Sequence, residues 1–312
     1  MKTALILGIT GTFGGHVAAA LQQKGYALRT LLRDPKKLPA NFAGAEVVQG
    51  DVADIDSLRR ATADVEVMVY GVNPPKYQWQ GRALPWLENA ARVAEQQGLT
   101  MLFPGNVYVF DPADGPDFDE AASMHPVSSK GAIRLAMEQR LQRAAETGAQ
   151  VIILRAGDFI APGAGSAWLQ VLLKAKGEGY TLGVPGPRDL PHTWAYLPDL
   201  ARTAAELLER RGALPAFNVF HYHGHRVSFN EMAEAIHQAS GRPVKLQAFP
   251  WWALRLAAPF SEMFRGLLEM RYLWRRQVNM VDHRLQQTLG RQVPSTPLPQ
   301  ALVEAGLVQA AG

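Results

Sequence analysis

The N-terminal stretch Met1-Lys-Thr-Ala-Leu-Ile-Leu-Gly8-Ile-Thr-Gly11-Thr-Phe-Gly14-Gly15 holds the first residues able to do chemistry. Gly8, Gly11 and Gly14 are evenly spaced where an apolar run gives way to a helical pattern. Glycines there let a backbone lie against an anion, because no side chain intervenes. The N–H groups at a helix start, together with the positive end of the helix dipole, then hold it. A pyrophosphate is the expected ligand. A second cluster, His221-Tyr222-His223-Gly224-His225, sets three imidazoles at alternate positions, which an extended strand would turn to one side. Three imidazoles could bind zinc, but no carboxylate stands nearby in sequence. The segment reads instead as a substrate edge or solvent contact, with no metal.

These residues need elements to position them. Residues 3–7 suit a buried parallel strand, and from Phe13 a helical pattern runs through Val17 and Leu21 to stop at Gly25. Residues 26–32 and 45–48 read as the second and third strands, and residues 54–61 as a helix capped by Asp54. Residues 65–70 are the fourth strand, and a helix then ends at Gln97 before Gly98. Residues 99–103 are the fifth strand, followed by a long Asp- and Pro-rich loop over 104–125. From Val127 a helix carries Ile133, Met137 and Leu141, with Arg134 and Glu138 as a surface pair. Residues 151–154 are the sixth strand, 198–211 a helix, 217–220 a strand, and Ser228-Phe-Asn-Glu231 a capping box. This alternation predicts an α/β fold with a Rossmann-type, doubly wound parallel sheet and a smaller C-terminal substrate-binding lobe. The division expected is residues 1–155 and 156–312, with segments near 195–220 returning to the sheet.

The 312 residues, 47% of them hydrophobic and 19% charged, suffice for a real core. A net charge of +4 fits a phosphate-bearing ligand, and the lack of a dense Lys/Arg block argues against nucleic acid. With no cysteine, disulfides, thiolate catalysis and cysteine metal sites are excluded. Residues 2–20 imitate a signal peptide, with one lysine and Ala18-Ala19-Ala20, but cleavage there would destroy the glycine site, so a cytoplasmic protein is expected. Residues 249–274 are rich in Trp, Leu and Phe, yet Arg255, Glu262, Arg265, Glu269 and Arg271 are too many charges for a membrane span. A helix there is expected to pack within the molecule or against a second copy in a homodimer, with a membrane surface as the alternative.

The spacing G-x-x-G-x-x-G resembles that of the short-chain dehydrogenase/reductase superfamily, in its extended or atypical branch. Along nearly the whole chain the sequence is similar to NAD(P)-dependent epimerases and dehydratases. The segments that carry this are Gly50-Asp51-Val52, Tyr70-Gly71-Val72, Leu154-Arg155-Ala156-Gly157 with Pro162-Gly163, and Trp194-Ala-Tyr196-Leu-Pro-Asp199. The resemblance implies an adenine contact at Asp51 and a nicotinamide ribose beside Gly71. It assigns the cofactor to Gly8, Thr10, Gly11, Thr12, Phe13, Gly14, Arg33, Lys36, Asp51, Val52, Gly71 and Lys130. NAD binders of this fold usually place an acid at the end of the second strand, where this chain has Arg33 with Lys36 and Lys37 behind it. A guanidinium can hold a 2′-phosphate through two parallel bonds, so NADP is the expected cofactor. NAD is the alternative, through Asp34.

The chain departs from the family at the reacting centre. The family's engine is Ser/Thr plus Tyr-x-x-x-Lys, in which tyrosine is the acid or base and lysine lowers its pKa and holds the ribose. Lys130 occupies the lysine position, but four residues earlier stands Pro126, and Pro104-Gly105-Asn106 replaces the hydroxyl pair. Asn106 can donate to a substrate oxygen. Tyr108 and His125 flank the loop where a donor is needed, and His192 and Tyr196 could reach in from the other lobe. His125, adjacent to the vacant position and of the residue type best suited to proton transfer at neutral pH, is the expected donor. The expected function is an NADP-dependent oxidoreductase or epimerase acting on a small, partly apolar carbonyl or hydroxyl substrate, the apolar part suggested by Trp168, Trp194, Trp251 and Trp252. A catalytically silent NADP sensor or regulatory module is the alternative.

Overall fold

The first half of the chain alternates strand and helix in the computed structural model, which describes residues 2–75, 78–163 and 167–311 apart from the Glu262 and Met263 side chains. The expected charge at Glu262 therefore lies outside the described residues. In order come β1 (Thr3–Leu7), α1 (Thr12–Gln23), β2 (Ala27–Leu32), β3 (Glu46–Gln49), α2 (Ile55–Ala61), β4 (Val67–Tyr70), α3 (Ala83–Gln97), β5 (Thr100–Asn106), β6 (Asp117–Phe118), α4 (Ser129–Glu146) and β7 (Gln150–Ala156). The second half holds β8 (Asp158–Ile160), α5 (Trp168–Leu172), β9 (Leu173–Lys176), β10 (Gly179–Val184), β11 (His192–Tyr196), α6 (Leu197–Glu209), β12 (Phe217–His221), β13 (His225–Val227), α7 (Phe229–Ser240) and β14 (Val244–Ala248). It closes with α8 (Trp251–Ala257), α9 (Glu262–Glu269), β15 (Asn279–Met280), α10 (His283–Leu289) and α11 (Leu298–Glu304).

Seven strands form one parallel sheet in the order β12-β7-β5-β4-β1-β2-β3. Its centre is buried on both faces, which is why β1 and β4 are unbroken apolar runs. Side chains alternate across the sheet. Ile6 packs with Val17, Leu21, Leu200 and Leu208 on the α1/α6 face, while Leu5 and Leu7 pack with Leu87, Val93, Met137 and Leu141 on the α2/α3/α4 face. The edge strand β12 comes from late in the chain, beyond α6. This is a Rossmann-like α/β fold.

Local caps lie where the residue types demand them. The Asp54 carboxylate accepts from the Asp56 and Ser57 N–H groups, and Gly98 ends α3 in the left-handed region with φ 66°. Ser228 and Glu231 form the capping box of α7. Three expectations change. β5 extends through Pro104 and Gly105 to Asn106, paired with β7, so the loop starts later than a proline suggests. α4 starts at Ser129, because the Ser128 hydroxyl accepts from the Gly131 N–H at 3.0 Å. Arg134 and Glu138 are no surface pair: Glu138 is buried and bound to Arg155, and Arg134 turns to the Pro104 carbonyl.

Three small sheets complete the second half: β14-β10-β9, β13-β11-β8, and β15 paired with β6. The last ties residues 279–280 to the segment after β5. Around β10 and β11 an aromatic core gathers Trp168, Trp194, Phe229, Trp251 and Trp274. Among the described residues no helix is long and apolar enough to cross a membrane.

Candidate functional site

The turn from β1 into α1 is shaped for close approach. Gly8 has φ +85°, which only glycine adopts freely, and a Cβ there would stand 2.5 Å from the Gly71 carbonyl oxygen. A Cβ on Gly14 would collide with the Gly8 carbonyl. Gly8 and Gly14 therefore let β1, α1 and the end of β4 close on one another. Gly11 differs, with an ordinary φ of −89° and an exposed position. It keeps the outer face of the turn clear. No side chain caps α1 and no acid stands in its first turn, so its positive end opens outward.

That end faces a crevice of about 230 Å³ lined by Gly8, Thr10, Gly11, Leu32, Arg33, Gly50, Asp51, Val52, Gly71, Asn73, Pro75 and Trp86, among others. Arg33 is exposed at the end of β2; its carbonyl accepts from Gln49 Nε2, and its guanidinium has no hydrogen-bond or ion-pair partner among the described residues. The neighbouring Asp34 carboxylate accepts from the Lys36 N–H and caps the turn over residues 35–37. Asp51 accepts from the Ala53 N–H at 2.9 Å, which holds its carboxylate at the end of β3. Thr12, Phe13, Gly14, Lys36 and Lys130 stand outside the crevice lining. Phe13 is buried and stacks on Phe159 at 6.5 Å, so it packs the helix rather than presenting itself to a ligand. An uncapped helix start, a cradle that a side chain at Gly11 would fill, a cation at the β2 end and a carboxylate at the β3 end together fit a phosphate-bearing dinucleotide.

From the crevice a line of contacts runs to α4. Trp79 Nε1 donates to Asn73 Oδ1 at 2.7 Å, and its ring lies beside Tyr108 and under the Arg134 guanidinium. Arg134 Nη1 donates to the Pro104 carbonyl at 3.0 Å. Lys130, Arg134 and Glu138 lie at i, i+4 and i+8, along one side of the helix. Lys130 Nζ is 3.8 Å from Glu269 Oε2 and so close over Gly266 that a Cβ there would collide with it. The other Glu269 oxygen accepts from the Ser129 N–H at the start of α4. One turn further, the Tyr272 hydroxyl is buried beside the Ser128 hydroxyl without a hydrogen bond of good geometry. Burial pushes the Tyr272 phenol up, and the Ser128 hydroxyl partly opposes this.

Beneath the site, Arg155 Nη2 donates to Glu138 Oε2 at 2.6 Å and Arg155 Nη1 faces His221 Nε2 at 3.0 Å. A guanidinium only donates, so Nε2 accepts and the proton sits on Nδ1, which faces the Phe118 carbonyl at 3.1 Å. Burial, reinforced by the Arg155 charge, lowers the His221 pKa to about 3 and keeps the ring neutral. His223 Nδ1 faces the Met280 carbonyl. The chain leaves β12 at His221 and enters β13 at His225, so the three histidines do not share the strand face expected of them, and His221 and His223 have separate partners.

Several expected donors are placed elsewhere. The His125 side chain is 66% exposed and held by Asp114 at 2.8 Å, in the loop before α4. The Tyr196 hydroxyl donates to Glu304 Oε2 at 2.6 Å and its ring is buried, so it ties β11 to α11 instead of facing a cleft. His192 faces Asp158 at 2.7 Å and stacks on Trp274, within the aromatic core of the lobe. Asn106 Oδ1 caps the turn over residues 107–109 by accepting from the Tyr108 N–H, which leaves its amide nitrogen as the donor. Conversely, Arg134, Glu269 and Tyr272 escape sequence reasoning, since the last two arrive from about 140 residues further on. Glu269 is one of five charges in the aromatic-rich segment 249–274, with nothing local to set it apart. A separate open hollow of about 570 Å³, lined by Asp117, Glu120, His283 and Arg284, does not include the glycine turn or Lys130.

Comparison with known proteins follows the same lines. The model of the NAD dependent epimerase/dehydratase family matches residues 4–220. A (4-alkanoyl-5-oxo-2,5-dihydrofuran-3-yl)methyl phosphate reductase of Streptomyces griseus subsp. griseus is 32% identical over 114 residues, which is 36% of this chain and 38% of that protein. The chain thus matches well under half the length of that curated relative. Among solved structures, a candidate epimerase from Burkholderia cenocepacia superposes with a TM-score of 0.78 at 19% identity, over 98% of this chain and 97% of the other. The Thermus thermophilus UDP-glucose 4-epimerase in complex with NAD gives a TM-score of 0.73 at 17% identity, over 98% of each chain. At these identities the structural likeness establishes the fold.

Proposed function

The chain belongs to the NAD dependent epimerase/dehydratase family, a family of enzymes, and from that premise we propose that it is an NADP-using oxidoreductase or epimerase acting on a small, partly apolar carbonyl or hydroxyl compound. The observation that carries the cofactor choice is Arg33. It stands on the crevice wall at the end of β2, exposed and without a carboxylate partner among the described residues, while the adjacent Asp34 is committed to the backbone. Asp34 does not line the crevice, whereas Arg33, whose fork matches a phosphate, does. The relative from Streptomyces griseus, whose substrate name joins an alkanoyl group to a phosphate, supports the partly apolar substrate.

The bound nicotinamide cofactor supplies hydride transfer. This chain's residues do the rest. The open start of α1 and Gly11 hold the pyrophosphate, and Asp51 receives the adenine end. Lys130, which Glu269 flanks at 3.8 Å, orients the ribose and stabilises negative charge on a substrate oxygen. Proton delivery falls to the Tyr272 hydroxyl, which enters from the second half beside Ser128, two residues from the place where Pro126 replaces the usual tyrosine. The Asn106 amide is the neutral donor to the same oxygen. The competing reading, a silent NADP sensor, draws on the same Lys130–Glu269 contact, which engages the one catalytic position kept by the family pattern.

Calorimetric titration with NADP and NAD tests the cofactor. NADP should bind more tightly, and Arg33→Ala should weaken it by about 1.5–3 kcal/mol, with little change for NAD. Tighter NAD binding by the natural protein would sink the assignment.

A further inference from the structure

One face of the second half carries large apolar side chains that no described residue covers. Trp252 and Leu256 lie one turn apart on α8, and Phe260 follows in the short turn over residues 258–260; they are 68%, 70% and 92% exposed. Their neighbours hold the segment rigidly from inside. Trp251 is buried, donates its indole N–H to the Pro185 carbonyl at 2.8 Å, and packs on Phe249 and Trp168. The stripe lies on the side of α8 away from this anchor.

The stripe is set in positive charge. Arg255 lies within it, and Arg265, Arg275 and Arg276 are exposed on the following segments. Arg271 stacks over Trp251, and partial burial with the like charges of Arg275 and Arg255 holds its pKa below the ordinary value, which puts these three guanidiniums in one neighbourhood. None of the five forms an ion pair with a carboxylate among the described residues. Arg265 is braced on the Ala258 and Pro259 carbonyls.

We propose that this face, Trp252, Leu256 and Phe260 ringed by arginines, seats the protein on the surface of a bilayer bearing anionic headgroups. Apolar side chains enter the headgroup boundary while the guanidiniums meet lipid phosphates, the arrangement of an interfacial helix. A second copy fits poorly, because an isologous contact would bring the two arginine sets face to face. None of these apolar side chains or arginines lines the nucleotide crevice. No span is implied.

Sedimentation of the full chain with vesicles tests it. The protein should pellet with vesicles of phosphatidylcholine plus phosphatidylglycerol, far less with pure phosphatidylcholine, and be released by added salt. Phe260→Glu or Leu256→Glu should lower the partition coefficient at least about tenfold. Arg275→Ala should lower it about fivefold on the anionic vesicles alone. These side chains are exposed, so thermal midpoints should not move, and circular dichroism checks that each variant is folded. The proposal is overturned if neither vesicle pellets the protein, if both do equally, or if Phe260→Glu pellets like the natural chain. A concentration-dependent dimer that Phe260→Glu dissolves, with no vesicle binding, would make the face a self-contact and also overturn it.

Discussion

At the scale of single residues, the unusual feature is that the proton donor proposed above, Tyr272, belongs to a different part of the chain from Lys130. Tyr272 reaches the start of α4 from beyond α9, and burial keeps its phenol protonated through the neutral range. On any carbonyl the natural protein reduces, followed by NADPH absorbance, Tyr272→Phe should lower kcat about 10²–10⁴-fold and leave NADP affinity unchanged. His125→Ala should keep the rate. The kcat profile should stay level across neutrality, whereas a histidine donor would make it fall as pH rises past about 6.5. Loss of rate in His125→Ala with full rate in Tyr272→Phe would return the donor to the loop. The glycine turn was readable in sequence because all its determinants are local: a strand, three glycines, a helix. The Lys130 environment was not, because Glu269 and Tyr272 are brought in by tertiary packing and no short-range pattern records it.

Among the elements, α4 sets the site, and its rotation is fixed from below. Glu138 sits two helical turns after Lys130 and is locked to Arg155 on β7, with 3% and 2% of their side chains exposed. An i, i+4 pair of opposite charges such as Arg134 and Glu138 normally lies in solvent, so the pattern misled: each charge instead has a partner outside the helix. The extension of β5 past Pro104 was hidden for a related reason, since a missing N–H reads as a loop unless the neighbouring strand is known. Removing one member of a buried pair leaves an uncompensated charge, so Glu138→Ala should destabilise by about 3–5 kcal/mol in urea unfolding. The double variant Glu138→Leu with Arg155→Met should recover most of that. A cost below about 1 kcal/mol for the single variant would show that other contacts orient the helix.

For the molecule as a whole, His221 joins the two halves through Arg155 and the Phe118 carbonyl, and it does so only when neutral. Its pKa is about 3 when folded, against about 6.5 in an unfolded chain, so between these values the unfolded state binds more protons. Stability should therefore fall as pH drops through that window and be unaffected by this residue above it. His16 and His225, also lowered chiefly by burial, act in the same sense. His221→Gln, whose amide can accept from Arg155 and donate to the carbonyl, should flatten the slope of unfolding free energy by up to about 1.4 kcal/mol per pH unit. An unchanged slope would place the acid sensitivity elsewhere. The late arrival of β12 has a consequence during synthesis. Every residue lining the nucleotide crevice lies between Leu7 and Trp86, so that part leaves the ribosome early. β7 follows with six of its seven residues buried in the finished sheet, and its outer edge has no neighbour until residues 217–221 are made. For that interval the nascent chain exposes an apolar strand ready to pair with another, and it is then that misassembly competes with folding.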